Sequence, residues 1–435
     1  MLDISKPLTT GKVQSYYRSE YSSASNSYFT QGGTLRGEWH GQLAPVLKLS
    51  GEVTAQAFDR LAEGQHPDSG EQLIKHRDTI KTQAGEEIGH RAGWDLTFNA
   101  PKTMSLTALV GEDERVREAH RNAVRTALDA TEKYVQARLG GNNPAETTGK
   151  WIAATFEHDT ARPVDGYPAP HLHTHVVVFN MTEDHFGQAR SLQPYELFKV
   201  QSMSTAIYQN QLEYELRQLG YQIQRGANHA PDIKGYSPEY LQAESLRSAE
   251  IKRAMEDRGA VGREVESFVK HQNREEKLKL TPEELRGLHK RSAEEFGNQP
   301  ARVVHEASER HIRTLSTEKT QERSHAAVSF ARERLSERSA VFEHFEVIRD
   351  ALRHTHGRAR LHDVQAELGR QKDQSRFLEV QHIRPNAPAA RYTTPELIQI
   401  ERETIERVRA GQNQLQPLAA VSYATLMARY SDKLN

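Results

Sequence analysis

Three residues in the middle of the chain, His173-Thr174-His175, have a spacing that can do chemistry. On an extended strand, residues two apart sit about 6.6 Å apart at Cα and point to the same face, so both imidazoles can converge on one ion. His158 closes another alternating segment, WIAATFEH, and would meet them if the two segments pair. Three neutral imidazoles without a fourth protein ligand leave coordination positions open to substrate oxygens, the arrangement of a catalytic metal rather than a closed structural one. The competing reading is a surface strand that happens to carry histidines. His171 shares their face but lies next to a loop, and reads as a flanking group. Asp95 opens the segment WDLTF. A carboxylate there could orient a metal-bound histidine or take a proton, or it could be an ordinary strand-edge aspartate. Tyr16 and Tyr17 stand side by side near the N-terminus, with Tyr21 and Tyr28 following. A phenol with a pKa near 10 is a weak nucleophile, yet it becomes useful against a phosphate whose charge a metal withdraws. The competing reading is a pair of core aromatics.

These groups need strands to hold them. In WIAATFEH, Ile152, Ala154, Phe156 and His158 share one face. In HLHTHVVVFN, His171, His173, His175, Val177 and Phe179 share one face, while Leu172, Val176 and Val178 point the other way. The Pro-, Gly- and Asp-rich link DTARPVDGYPAP suits an antiparallel pair joined by a long loop. Asn99-Ala100-Pro101 ends the WDLTF strand in a turn. A helix is predicted from Glu112 to Leu139, stopped by Gly140-Gly141. The segment RSEYSSASNS between Tyr17 and Tyr28 predicts a loop. After about residue 195 the pattern turns helical: LFKVQSMSTAIYQNQLEYELRQLG is amphipathic up to Gly220, and LTPEELRGLHKRSAEEFG begins on Thr-Pro-Glu. Gly297 to Pro300 is the candidate boundary between domains. Beyond it, SHAAVSFARERLSERSAVFEHFEVIRDALRH reads as helical, FLEV and RYTT as a small hairpin, and TPELIQIERETIERVRAG as a capped helix. Helices followed by a hairpin suggest a winged-helix-like module. The fold class is therefore α+β, a helix-flanked antiparallel sheet followed by helices.

Composition narrows the classes. With 435 residues, more than one domain is expected. Hydrophobic residues are 36% and charged residues 27% of the chain, and the mean hydropathy is -0.77. No cysteine is present, which removes disulfides and thiolate metal sites. No apolar run approaches the roughly 20 residues of a membrane span, and the first residues lack a signal-peptide core, so a cytoplasmic protein is expected. A net charge of -1 means that a nucleic-acid site would have to be assembled locally by folding.

Taken together, Tyr16-Tyr17, WDLTFNAPKTMSL and FEHDTARP followed by PHLHTHVVVFNMT resemble the conjugative relaxases of the MobF type. Those are members of the HUH endonuclease group, named for His-hydrophobic-His. The resemblance spans residues 1 to about 300. It implies a palm-like antiparallel sheet flanked by helices, with helical fingers at about 195–300 closing over single-stranded DNA. It also implies nicking and strand transfer at one strand of an origin of transfer in a bacterial mobile element. Tyr16 would be the primary nucleophile, holding the 5′-phosphate and releasing a 3′-OH, with Tyr17 in support. His158, His173 and His175 would hold a divalent metal (Mg²⁺, Mn²⁺ or Zn²⁺), with Asp95 beside them. Where the family carries a second tyrosine pair, this chain has Tyr28-Phe29, so Tyr28 is the expected second nucleophile. Partners implied are single-stranded or hairpin origin DNA, accessory relaxosome proteins and a coupling protein, with the chain a monomer.

Relatives often continue into a helicase, and this chain lacks a GxxxxGK[ST] phosphate loop. Residues 301–435 resemble the stretch that precedes the helicase region, which the chain is expected to lack. Two other readings stand beside the relaxase: a rolling-circle replication initiator of the same group, and a non-catalytic, metal-stabilised DNA-binding module. Initiators usually place the tyrosine after the metal motif, whereas here it comes first.

Overall fold

The computed structural model describes residues 1–18, 37–75, 80–81, 87–88, 90–140, 143–257, 280–311, 316–381, 390–412, 414 and 425. Tyr21, Tyr28 and the predicted loop after Arg18 lie outside the described residues. Alternating strands build one antiparallel sheet in the order Leu2–Ile4, Arg91–Asn99, Pro170–Phe179, Ala153–Thr160, Glu38–His40, with Leu8–Thr9 also pairing onto Arg91–Asn99. The two long histidine strands are antiparallel neighbours, and WDLTF lies within the strand on their other side. Leu2–Ile4 and Glu38–His40 were not expected from the sequence; each has three residues, too few for a periodic signal.

Alternation along the strands separates two cores. On one face Trp94, Leu96, Phe98, Leu172, Val176 and Val178 are buried under the helices Glu114–Glu132 and Tyr195–Gln218. On the other face Ala154, Phe156, Val177 and Phe179 pack with Val13, Tyr17, Phe58 and Leu61 from the helices Thr10–Tyr16 and Ala55–Ala62. The histidines lie on this second face, so the N-terminal helix that leads into the tyrosine pair and the histidine strands share a layer.

The predicted helix over 112–139 is shorter, Glu114–Glu132, and its expected last turns are a strand, Gln136–Arg138. Tyr134 and Val135 are poor helix formers, and the strand pairs with both Leu192–Gln193 and Ala145–Thr147. Thr281 and Glu284 form a reciprocal capping box at the start of Pro282–Glu295. The segment expected to be helical over 324–354 is divided between two helices, Thr317–Ser336 and His344–Thr355, separated by the strand Phe342–Glu343. Leu361–Asp373 follows, then Leu378–Val380 and Arg391–Thr393, which form the predicted hairpin. The order helix, strand, helix, helix, strand, strand, with all three strands in one sheet, is a winged-helix arrangement. No helix among the described residues is long and apolar enough to cross a membrane.

Candidate metal and nucleophile site

Strand register brings the histidines together. His173 is directly opposite His158, and His175 lies opposite Phe156 on one side and Thr97 on the other. The ring centroids of His158 and His173 are 5.3 Å apart, those of His158 and His175 5.3 Å, and those of His173 and His175 5.1 Å. An ion held tetrahedrally by three imidazole nitrogens at about 2.0–2.1 Å places ring centroids about 5 Å apart, so the spacing fits. Among the described residues no three ligand side chains are already closed around a single point.

The second nitrogen of two rings is already committed. His175 Nδ1 lies 2.7 Å from Asp95 Oδ2 and 3.3 Å from Thr97 Oγ1. His173 Nδ1 lies 2.9 Å from the carbonyl oxygen of His171. Donating Nδ1–H to these acceptors fixes both rings as the tautomer with a lone pair on Nε2, which is what a metal ligand needs. Burial and the neighbouring imidazoles hold His173 well below its usual pKa, keeping it neutral. His171 belongs to a different task. Its Nε2 is 3.1 Å from Asn99 Oδ1, its ring stacks on His173 at 4.8 Å, and burial followed by the Lys102 charge pulls it down to about 3.

A register shift between Pro170 and His173 sets this geometry. At the shift, Leu172 donates its amide to Ser105 Oγ (3.0 Å), and Lys102 Nζ donates to the Pro170 carbonyl (2.7 Å). The N-terminal amine of Met1 donates to Asn99 O (2.6 Å), at the end of the strand that carries Asp95. Thr97, Asn99, Lys102 and Ser105 are thus supporting groups, a role that residue type and spacing alone did not assign to them. Their signal was present in WDLTFNAPKTMSL, where alternation from Asp95 puts Thr97 and Asn99 on the histidine face.

Thr174, between the two histidines, faces the opposite side. It is buried, and its Oγ1 lies 2.9 Å from His120 Nε2, while His120 Nδ1 lies 2.8 Å from Tyr208 OH. A hydroxyl in place of a bulky apolar side chain therefore ties the histidine strand to both helices behind the sheet.

Tyr17 is buried, stacks on Phe58 at 4.3 Å and meets Phe156 edge-on at 5.9 Å. Phe156 is the cross-strand neighbour of His175, so the tyrosine pair and the histidines lie on one face. Burial, then Asp59 and Glu52, push the Tyr17 pKa up, which suits packing rather than attack. Tyr16 is only partly buried, at the last position of its helix.

Residues 10–296 match the TrwC relaxase family. The chain belongs to that family. Two relatives named "Multifunctional conjugation protein TraI", from Escherichia coli and from Escherichia coli strain K12, are 34% identical over 278 residues and 31% identical over 296 residues. The matches cover 61% and 65% of this chain but only 15% of each relative, so the chain spans a small part of their length. A copper-bound structure of conjugative relaxase TrwC in complex with oriT DNA is 32% identical, with a TM-score of 0.58 over 68% of this chain and 99% of that one. A TrwC complex with a 27-mer DNA comprising the recognition hairpin and the cleavage site is 31% identical, with a TM-score of 0.57 over 68% and 99% of the two chains.

Proposed function

We propose that the chain is a conjugative relaxase, which nicks one strand of an origin of transfer and remains covalently bound to it. The observation that carries this reading is the meeting, on one sheet face, of three imidazoles spaced for an ion with an N-terminal tyrosine pair. In this reading His158, His173 and His175 hold a divalent ion and Asp95 orients His175 through the 2.7 Å contact. The ion would supply Lewis-acid polarisation of the scissile phosphate. Imidazole donors suit zinc, copper, nickel or manganese, and an open site that takes phosphate oxygens also accepts magnesium. The Tyr16 oxygen attacks phosphorus, the bond to the 3′ oxygen breaks, and the phenol proton is lost as the 3′-OH gains one. The phosphotyrosine conserves the phosphodiester energy for rejoining. Tyr16 is chosen over Tyr17 because Tyr17 is enclosed by Phe58 and Phe156. Tyr28 is the candidate for a second transfer.

We assign residues 1–300 to the relaxase domain, with fingers in 195–300, and 301–435 to an accessory region; the end of the family match at residue 296 supports this division. The substrate is single-stranded and hairpin origin DNA, bound by a monomer in the bacterial cytoplasm beside relaxosome and coupling proteins.

The test is cleavage of labelled single-stranded origin oligonucleotides with Mg²⁺ or Mn²⁺. Wild type should give a protein–DNA adduct on the Tyr16 peptide, and Tyr16→Phe should lose it while retaining DNA affinity. No adduct across origin fragments, with metal confirmed at the histidines, would instead favour a binding module.

A further inference from the structure

Away from the histidines, the C-terminal helices pack on the long helix Tyr195–Gln218 through a shared apolar core, and one buried polar side chain ties the turn after His344–Thr355 to it. Asn210 Nδ2 donates to Ala359 O (2.9 Å), and its Oδ1 accepts from Gly357 N (3.0 Å) and Thr355 Oγ1 (2.5 Å). Docking brings the hairpin strand Ile223–Arg225 against the end of His344–Thr355, where Arg225 donates to the Arg353 carbonyl. Arg334 and Arg349 meet there at Asp350, which precedes Arg353 on the same helix, and Arg225, Arg334 and Arg349 all bear on the Arg353 charge. His229, His354 and His356 ring the same seam.

The seam holds more positive charge than its own structure needs. Arg349 and Arg353 are four residues apart on one helix, an unfavourable like-charge spacing. Asp350 is the carboxylate among them; it is 2% exposed, takes Arg349 at 2.7 Å and lies 3.9 Å from Arg334. Glu213, near His356, is already bonded to Arg217 at 2.6 Å. The helix C-terminus supplies only about half a negative charge. Arg353 Nε is buried and lacks a hydrogen-bond partner among the described residues. Beside this cluster the exposed Phe330 ring stacks on His354 at 4.3 Å.

We infer that this seam, built jointly by Arg225 and by Arg334, Arg349 and Arg353 of the C-terminal helices, binds the backbone of a single DNA strand, with Phe330 and His354 as a stacking platform. Guanidinium groups suit phosphate, and an exposed aromatic pair suits unstacked bases rather than a closed duplex. The choice of DNA among polyanions rests on the relaxase reading; the convergence of charge does not.

The test uses the full chain and a fluorescent thymidine oligonucleotide of about 30 nucleotides, long enough to span several binding segments. Arg225→Gln with Arg334→Gln should weaken binding about tenfold at low salt and reduce the slope of log Kd against log salt by about 1.4, the value for two lost phosphates on a single strand. Arg225→Lys with Arg334→Lys should largely restore both. Phe330→Ala should weaken binding while leaving the slope unchanged, and gives a second readout if the glutamine pair folds poorly. Unchanged affinity in the folded glutamine pair and in Phe330→Ala would overturn the inference. So would an equal or larger loss on a duplex of the same length. Nicking of a short origin oligonucleotide, measured on the same samples, should be unaffected. Its absence in wild type would count against the relaxase reading alone.

Discussion

An imidazole binds a metal through one nitrogen, so whatever engages the other nitrogen decides whether the ring is ready. For His175 that group is Asp95, 2.7 Å away, with Thr97 Oγ1 at 3.3 Å. In the proposed metal site the carboxylate would also add negative charge that makes the ring a better donor to an ion. Asp95→Asn keeps the shape and removes that charge, and the amide can turn its NH₂ toward the ring and favour the wrong tautomer. The expected result is a loss of about 10–100-fold in metal affinity, the usual scale for removing such a partner. Calorimetric titration with Mn²⁺ or Zn²⁺ measures it, alongside nicking, which should fall in step and recover in part at high metal. Equal metal affinity in Asp95→Asn and wild type would remove Asp95 from this role. The residue types were legible in the sequence: HxH, a third histidine on an alternating segment and a strand aspartate. Their partners were not, because the His171 carbonyl reaches His173 only after a register shift at Pro170–His173 that periodicity does not encode.

At the scale of elements, the long strands were legible because His171, His173, His175, Val177 and Phe179 alternate with Leu172, Val176 and Val178, a clear period of two. Short strands such as Phe342–Glu343 were hidden inside a helical pattern, since two residues carry no period. Ion pairing behind the sheet was also hidden. On the strand Ala153–Thr160, Glu157 and Asp159 flank His158 and face the helix Glu114–Glu132. Arg117 contacts Glu157 at 2.5 Å and Asp159 at 3.0 Å, and Arg121 contacts Glu157 at 3.0 Å. Burial alone would raise the pKa of Glu157, but Arg117 and Arg121 hold it below the usual carboxylate range. Its contribution to stability is therefore full above the unfolded carboxylate pKa and is lost as pH falls through the folded one. Arg117→Met would leave the buried Asp159 and the part-buried Glu157 short of countercharge, at a cost of about 3–5 kcal/mol near neutral pH. With Arg117 gone, burial would weigh more heavily on Glu157 and raise its pKa, so protonation on acidification would relieve the variant while weakening the wild type. Thermal melts at neutral and mildly acidic pH should show the gap in Tm narrowing as pH falls. A constant gap would mean that Arg117 acts through packing alone.

At the scale of the whole molecule, the histidine face and the C-terminal helices meet the sheet layer from different sides. The long helix Tyr195–Gln218 is shared: its first turns and middle pack on the sheet, and Asn210 and Glu213 meet the turn after His344–Thr355. Gly357 sits at that turn with φ +62, and a Cβ there would lie 2.8 Å from the backbone nitrogen of Tyr214 and 2.7 Å from Glu213 Cγ. Glu213 can swing aside, but a helix backbone cannot. Gly357→Ala must therefore strain a left-handed residue, which costs on the order of 1 kcal/mol, and also push the turn away from Asn210. Moving the turn strips Asn210 of three buried hydrogen bonds at once, so the loss exceeds the strain. The expected outcome is earlier proteolysis within residues 316–411 and a lower Tm, while a short origin oligonucleotide is still nicked, because the histidine strands make none of these contacts. If nicking fell together with docking, the C-terminal helices would have to be counted as part of the machinery that positions the histidine face, rather than as a separate unit resting on the shared helix.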